Sequence, residues 1–432
     1  MPNVYVGMTA DVLHHGHINV IETARKYGDV IVGLLTDSAV RRRKRLPALS
    51  FSQRKKIVEN IVGVSQVVPQ ETWDYSENLV RYKPDFMVHG DDWLEGSEAS
   101  IRERCISSLE SWGGRLIEVE YTHGVSSGAL LEASLALGTT PEIRRRTLRR
   151  LINSGSLSRF IEAHSPLSAI VAERVEGKRG DEVRRFDGFW SSSLTDSTVM
   201  GKPDIEVIDL SDRLRNINQI FEVTSLPLIF DGDTGGQAEH FEINVRSIER
   251  LGVSAVIIED KKGLKKNSLF GNDVLQTQED PVLFAEKIQR GKQAAVTDEF
   301  MVIARIESLI LDTGIDDALI RARTYTEAGA DGIMIHSRDK NPQSVFEFAK
   351  SYRDDFPNTP LICVPTTYNQ VTDDELEEHG FSIVIYANHM LRASYPSMAK
   401  VAQMILDSGR TFEVEESISP IADILDLIPG TK

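Results

Sequence analysis

The residues best placed to do chemistry form one run: Glu259-Asp260-Lys261, five further residues, then Asn267-Ser268. It closes the apolar, strand-like stretch that begins at Val253. An acid at a strand's end, followed by a mobile loop of lysines and an amide, suits Mg²⁺-assisted chemistry on a small phosphorylated acid. Asp231-Gly-Asp233 follows the apolar run Leu226 to Phe230, and Arg305-x-Glu307 and His336-Ser337 likewise close β-rich runs. Singly each is ordinary: a lone acid after a strand is more often a cap, Arg-x-Glu a structural ion pair, and Trp190 or His336 a core residue. Polar groups recurring at the same end of successive strands converge on one face of a parallel barrel, where barrel enzymes keep their sites.

The positioning elements are legible between residues 168 and 390. Eight segments read as strands: Ser168–Val175, Phe186–Ser193, Pro227–Asp231, Val253–Glu259, Met301–Ile306, Gly332–His336, Pro360–Val364 and Ser382–Tyr386. Most are separated by helix-length segments, so a (β/α)₈ barrel is expected.

On these residues, the stretch from about Arg149 to Gly409 resembles phosphoenolpyruvate mutase of the isocitrate lyase superfamily. The run E-D-K-x₅-N-S matches the family signature without a mismatch, and Phe189-Trp190-Ser-Ser-Ser-Leu194 precedes Asp204 at the family's spacing. The resemblance implies Asp231 as direct Mg²⁺ ligand, with Asp204, Asp233 and Glu259 holding the metal's waters. Ser192 and the amides of Ser193 and Leu194 would hold the oxygens of pyruvate, and Trp190 would line the pocket. Lys265, Asn267, Ser268, Arg305 and His336 would surround the phosphoryl group, which asks for positioning and charge stabilisation rather than a strong nucleophile. The carbon–carbon lyases of the superfamily carry a cysteine where this chain reads Asp260-Lys-Lys-Gly-Leu264. The rival is phosphonopyruvate hydrolase, against which Asn267 favours the mutase. The implied reaction interconverts phosphoenolpyruvate and phosphonopyruvate; its equilibrium favours the former, so a pathway partner such as a decarboxylase is expected.

A second constellation lies near the N-terminus. The β-rich run Val4 to Met8 leads into Thr9-Ala-Asp11-Val-Leu-His14-His15-Gly16-His17 and an amphipathic segment. Strand, His-x-Gly-His turn and helix form a phosphate site: Gly16 lets the backbone approach, and the helix N-terminus favours an anion. A further strand at Asp29–Thr36, the basic cluster Arg41 to Arg45, the Gly90-Asp91-Asp92-Trp93 turn and the small-residue segment Thr122 to Gly128 complete a doubly wound, Rossmann-like pattern.

Residues 2–135 resemble the cytidylyltransferases of the glycerol-3-phosphate type. The resemblance implies that His14 and His17 stabilise the transferring phosphate. Asp11 and Lys44 would flank the substrates, Asp91 would lie near the nucleotide with Thr9 and Arg54, and Thr122, Ser126 and Ser127 would hold triphosphate. Met8, Tyr121 and Gly128 depart from the family pattern, Tyr121 removing a phosphate-binding cation, so the acceptor is expected to differ from glycerol 3-phosphate. A phosphonate matches a phosphate monoester in charge and shape, which suggests CTP-dependent, Mg²⁺-assisted activation of a phosphonate. A non-catalytic nucleotide-binding or assembly module is the alternative.

Composition bounds both readings. The 432 residues, 41% hydrophobic, divide into a first domain over 1–140, a linker and leading helix over 141–158, and a barrel domain over 146–432. A net charge of −16 argues against nucleic acid, despite the basic run Arg144 to Arg150, which reads as an interdomain contact. Two cysteines and no long apolar span imply a cytoplasmic, non-membrane protein. The acidic-apolar tail, residues 413–428, reads as an amphipathic helix. The barrel resemblance implies a homo-oligomer, a dimer of dimers.

Overall fold

The computed structural model describes residues 1–94, 98–120, 139–180 and 182–428. The first domain is a five-stranded sheet in the order β3-β2-β1-β4-β5, from β1 (Asn3–Met8), β2 (Asp29–Leu35), β3 (Val64–Gln70), β4 (Phe86–Gly90) and β5 (Arg115–Val119). Every pairing is parallel. The chain order reverses between β1 and β4, so the loops leaving their C-terminal ends diverge there and open a crevice. The helix His15–Arg25 leaves β1, and the turn Asp91–Trp93 leaves β4. Val4, Val6, Val32 and Val88 are buried on one side of this sheet with Ile21 and Ala24.

The second domain is a closed parallel barrel of eight strands. In spatial order they are β6 (Ser158–Glu162), β9 (Gly188–Ser191), β10 (Leu228–Asp231), β11 (Ala255–Glu259), β14 (Met301–Ile306), β15 (Gly332–Ile335), β16 (Leu361–Cys363) and β17 (Ile383–Tyr386). Short hairpins interrupt the sequence order: β7 (Gly177–Arg179) with β8 (Glu182–Arg184), and β12 (Lys261–Lys262) with β13 (Thr277–Gln278).

Seven of the eight expected strands fall on observed barrel strands; the first does not. Residues 166–174 are a helix, because Ser165 and Ser168 close a reciprocal capping box and Pro166 occupies the first helical turn. The first barrel strand lies earlier, at Ser158–Glu162, where the serine-rich junction obscured it. The tail also departs from one continuous helix: a tight turn spans Phe412–Ser417, Pro420 breaks the run, and a short helix covers Ile421–Leu427.

The helix Pro141–Asn153 caps the barrel's floor. Leu148 and Leu151 are buried against Phe160, Ile229, Ala255 and Met301. Its arginines donate to carbonyls near the lower strand ends: Arg144 to Thr224 (2.6 Å), Arg145 to Glu249 (2.8 Å) and Arg149 to Glu299 (3.2 Å). The basic run is thus built into the barrel and its interface. Arg150 reaches the other way, to the Pro47 and Ala48 carbonyls at 2.6 and 2.8 Å. From the first domain, Arg41 donates to the carbonyls of Leu151 and Ser156 at 3.1 Å each and Leu157 at 3.3 Å. The first domain therefore docks on the barrel's floor, opposite the strand C-termini.

Candidate active site

Asp231 ends β10, and two residues on, a second carboxylate, Asp233, meets the Lys265 ammonium rather than the cleft's lining. Gly232 is required there: a Cβ would lie 2.7 Å from the Val256 side chain. Asp233 holds φ at 55°, a left-handed conformation that aspartate tolerates better than most residues. Asp231 accepts from the Ser193 amide (3.1 Å) and hydroxyl (2.9 Å), so the turn after β9 is pinned to the end of β10. Burial pushes the Asp231 carboxyl up, but Lys265, Arg305 and Arg213 outweigh it and hold it at about 2.

The loop after β11 delivers the cations and amide. Lys265 donates to Asp204 at 3.0 Å and to Asp233 and Ser193, and Asn267 Nδ2 donates to Asp204 Oδ2 at 2.9 Å. Burial disfavours the Lys265 ammonium, yet Asp233, Asp231, Glu259 and Asp204 keep it protonated with a raised pKa. Arg305 lies 2.7 Å from the Ser268 hydroxyl, 2.9 Å from His336 Nδ1, 2.6 Å from Glu307 and 3.3 Å from Glu259. Burial, with Arg305 beside it, holds His336 below its ordinary pKa, so the ring is neutral near pH 7. Trp190, Ser192, Ser193, Leu194, Asp204, Asp231, Lys265, Asn267, Ser268, Arg305 and His336 line one cleft of about 70 Å³.

The signature run divides its labour. Asp260 faces away from the cleft, accepting from the Glu307 amide (3.0 Å), Tyr325 (2.9 Å) and Arg321 (3.2 Å). Lys261 spans the loop it begins, donating to the Lys266 carbonyl, Ser268 and Gln276 at 2.9 Å each. Asp260 fixes the loop's hinge, and Lys261 does so while also holding Ser268 and pairing with Glu259 at 3.1 Å.

Among the described residues, no three acidic or imidazole groups converge as a ready metal cage. The donor set nevertheless fits Mg²⁺, a hard cation that takes one or two carboxylates and keeps several waters. Both Glu259 oxygens are buried without a hydrogen bond, and burial raises its carboxyl to about 7 against the pull of Arg305 and Lys261. Each oxygen is ion-paired, with Lys261 at 3.1 Å and with Arg305 at 3.3 Å, and its unused hydrogen-bonding capacity can take a metal's waters.

Sequence reading missed Arg213. It sits on the buried face of the helix Leu210–Val223 and donates to the Asp231 carbonyl (2.6 Å), Asp196 (2.9 Å), the Ser191 carbonyl (3.2 Å) and Asp233 (3.3 Å). No local pattern separates it from a surface arginine; its charge inside an apolar helix face was the only signal.

In the first domain, the structure brings Thr9, Asp11, His14 and His17 to the end of β1. His14 caps the helix, its Nδ1 accepting from the Gly16 amide at 3.2 Å, and the His14 and His17 rings lie 4.1 Å apart. Burial lowers His17 to about 4 and also lowers His14, so both imidazoles are neutral near pH 7. Asp11 accepts from the Ala48 amide at 2.7 Å, pinning the loop that carries Lys44. Arg54 is fully buried and bound to Asp37 (2.6 Å), Leu49 O (3.2 Å) and Thr9 O (2.5 Å), a brace beneath the turn rather than a group facing a nucleotide. Asp91 opens the turn after β4. Thr122, Ser126 and Ser127 lie outside the described residues.

Comparison with known proteins agrees with both halves. Residues 148–406 match the family model for phosphoenolpyruvate phosphomutase, and residues 5–130 match a cytidylyltransferase-like model. Phosphonopyruvate hydrolase of a Variovorax species is 35% identical over 66% of this chain and 94% of its own. Phosphoenolpyruvate phosphomutase of Tetrahymena pyriformis is 32% identical over 65% of this chain and 89% of its own. Among solved structures, a phosphoenolpyruvate phosphomutase from Streptomyces platensis superposes with a TM-score of 0.60 at 36% identity, covering 65% of this chain and 93% of that one.

Proposed function

Because the chain belongs to the phosphoenolpyruvate phosphomutase family and carries a cytidylyltransferase-like domain ahead of the barrel, we propose that the barrel interconverts phosphoenolpyruvate and phosphonopyruvate. The observation that carries this is the Asn267–Asp204 hydrogen bond at 2.9 Å, with Lys265 on the other Asp204 oxygen at 3.0 Å. An amide and a cation are thereby held over the acidic cleft, the equipment a migrating phosphoryl group requires. Mg²⁺ would be held by Asp231, with Asp204, Asp233 and Glu259 reaching it through water, and would neutralise charge on the substrate's oxygens.

The chain's own residues account for orientation. Ser192 and the amide of Leu194, at the first turn of the helix after β9, hold the carboxylate and enolate oxygens, while the Ser193 amide is given to Asp231. Arg305, Ser268, Asn267 and neutral His336 surround the phosphoryl oxygens and stabilise a loose, metaphosphate-like transition state. The phosphorus leaves the enol oxygen and bonds to C3 of the same pyruvate unit, so no external nucleophile is needed. Water must be kept out, and the roof made by Lys265, Asn267 and Leu269 serves that end.

Phosphonopyruvate hydrolysis is the second reading, favoured by the 35% identity to the Variovorax enzyme. ³¹P NMR of the purified protein with Mg²⁺ and phosphonopyruvate separates the two: a phosphoenolpyruvate resonance is expected, and inorganic phosphate instead would make the barrel a hydrolase.

For the first domain the reading is cytidylyl transfer from CTP, with Mg²⁺, to a phosphonate. His14 and His17 donate to the transferring phosphate as neutral imidazoles. Pyrophosphate release from CTP, dependent on a phosphonate acceptor and lost on His14→Ala/His17→Ala, is the expected result; no turnover with any phosphonate would reduce the domain to a nucleotide-binding module.

A further inference from the structure

A second cavity lies far from the barrel's cleft, on the barrel's floor. Residues 41–48, the helix Pro141–Asn153, the start of β6 and the hairpin β7–β8 enclose about 870 Å³ between the two domains. That volume is ordinary for a small-molecule site. Ten cationic side chains and five carboxylates line it, in a chain whose net charge is −16.

Several of the cations are already neutralised. Arg41 pairs with Asp187 at 3.2 Å, Arg42 with Glu182 at 3.0 Å and Arg184 with Asp374 at 2.6 Å. Lys44, Arg45, Arg146 and Arg150 are in no ion pair among the described residues. Arg45 donates to the Glu173 carbonyl at 2.6 Å, and Arg150 only to carbonyls. Lys44 lies 5.2 Å above the Trp73 ring, and Arg146 makes no hydrogen bond among the described residues. Burial depresses the pKa of Arg45 and Arg150, outweighing the pull of Glu173, Asp187 and Glu176 on the first and of Asp37 and Asp11 on the second.

We propose that this inter-domain cavity binds a small anion bearing phosphoryl or phosphonyl groups, with Lys44, Arg45, Arg146 and Arg150 as its cationic wall. Guanidinium forks match the oxygens of such groups in both charge and geometry. Two of the four cations come from the first domain and two from the helix under the barrel, so the occupant bridges the domains. The inference goes beyond the barrel reaction and does not rest on cytidylyl transfer.

Isothermal titration calorimetry of the full chain with inorganic pyrophosphate tests the shared chemistry. Binding is expected in the parent protein, weakened at least about tenfold in Arg146→Glu, the loss of one charge-assisted hydrogen bond, and retained in His14→Ala/His17→Ala. Arg146→Gln serves if the reversed charge impairs folding. Absent binding, equal affinity in the Arg146 variants, or loss in the histidine variant would each overturn the proposal. CTP competing for the pyrophosphate site better than phosphoenolpyruvate would assign a nucleotide as occupant; the reverse would assign a phosphorylated acid.

Discussion

Asn267 Nδ2 donates to Asp204 Oδ2 at 2.9 Å, joining the loop after β11 to the segment that precedes the helix Leu210–Val223. The bond fixes the cleft's roof as well as one of its acids. Asn267→Ala is expected to slow phosphonopyruvate conversion about 10²- to 10³-fold, the usual scale for losing one aimed donor, with little change in unfolding midpoint. Rates followed by ³¹P NMR check this; conversion within threefold of the parent would remove Asn267 from the reaction.

Arg213 neutralises Asp196 and Asp233 from inside the fold. Arg213→Ala leaves buried Asp196 without its cation, Asp233 keeping Lys265, and is expected to cost about 3–5 kcal/mol, together with barrel activity. Urea unfolding measures the first and ³¹P NMR the second. Arg213→Lys should recover part of the stability, because it restores charge without the fork that reaches Ser191 O and Asp231 O together.

Burial holds His17 at about 4 in the folded chain, below its ordinary 6.5. Between those values the unfolded chain binds more protons, so stability falls as pH drops from about 6.5 to 4 and is flat above. His17 should contribute at most about 3 kcal/mol to that fall, less after solvent screening. Urea midpoints at pH 7 and pH 4.5 check it; His17→Gln should flatten the difference.

Arg41 bridges the domains through carbonyls of Leu151, Ser156 and Leu157 and through Asp187. Arg41→Ala strands these acceptors, at about 1–3 kcal/mol for each left unsatisfied. Differential scanning calorimetry should then resolve earlier, separable melting of the first domain. An unchanged thermogram would mean that the docked surfaces hold without it.

Magnesium removal gives a further test. EDTA should abolish barrel turnover while far-UV circular dichroism stays unchanged, because Lys265, Arg213 and Arg305 already compensate the buried carboxylates.

The strand-end chemistry was legible because it is local: an apolar run followed by Asp231, Glu259, Arg305 or His336 carries its meaning within a few residues, and parallel topology sends those ends to one face. The His14-to-His17 turn was legible for the same reason. The helix at Pro166–Arg174 was misread as a strand because an apolar run of this length suits either state until the Ser165–Ser168 cap decides it. Arg213 carried no readable role, since its partners Asp196, Asp231 and Asp233 belong to other elements. Nor could sequence turn Asp260 away from the cleft while placing Lys265 over it. The inter-domain cavity is the extreme case: residues 41–48, 143–151, 156–159 and 182–187 meet only when the first domain docks on the barrel's floor. Local pattern is enough to tell which groups end the strands; packing sets which charges find partners and which face a common space, because burial and pairing depend on distances between segments remote in the chain.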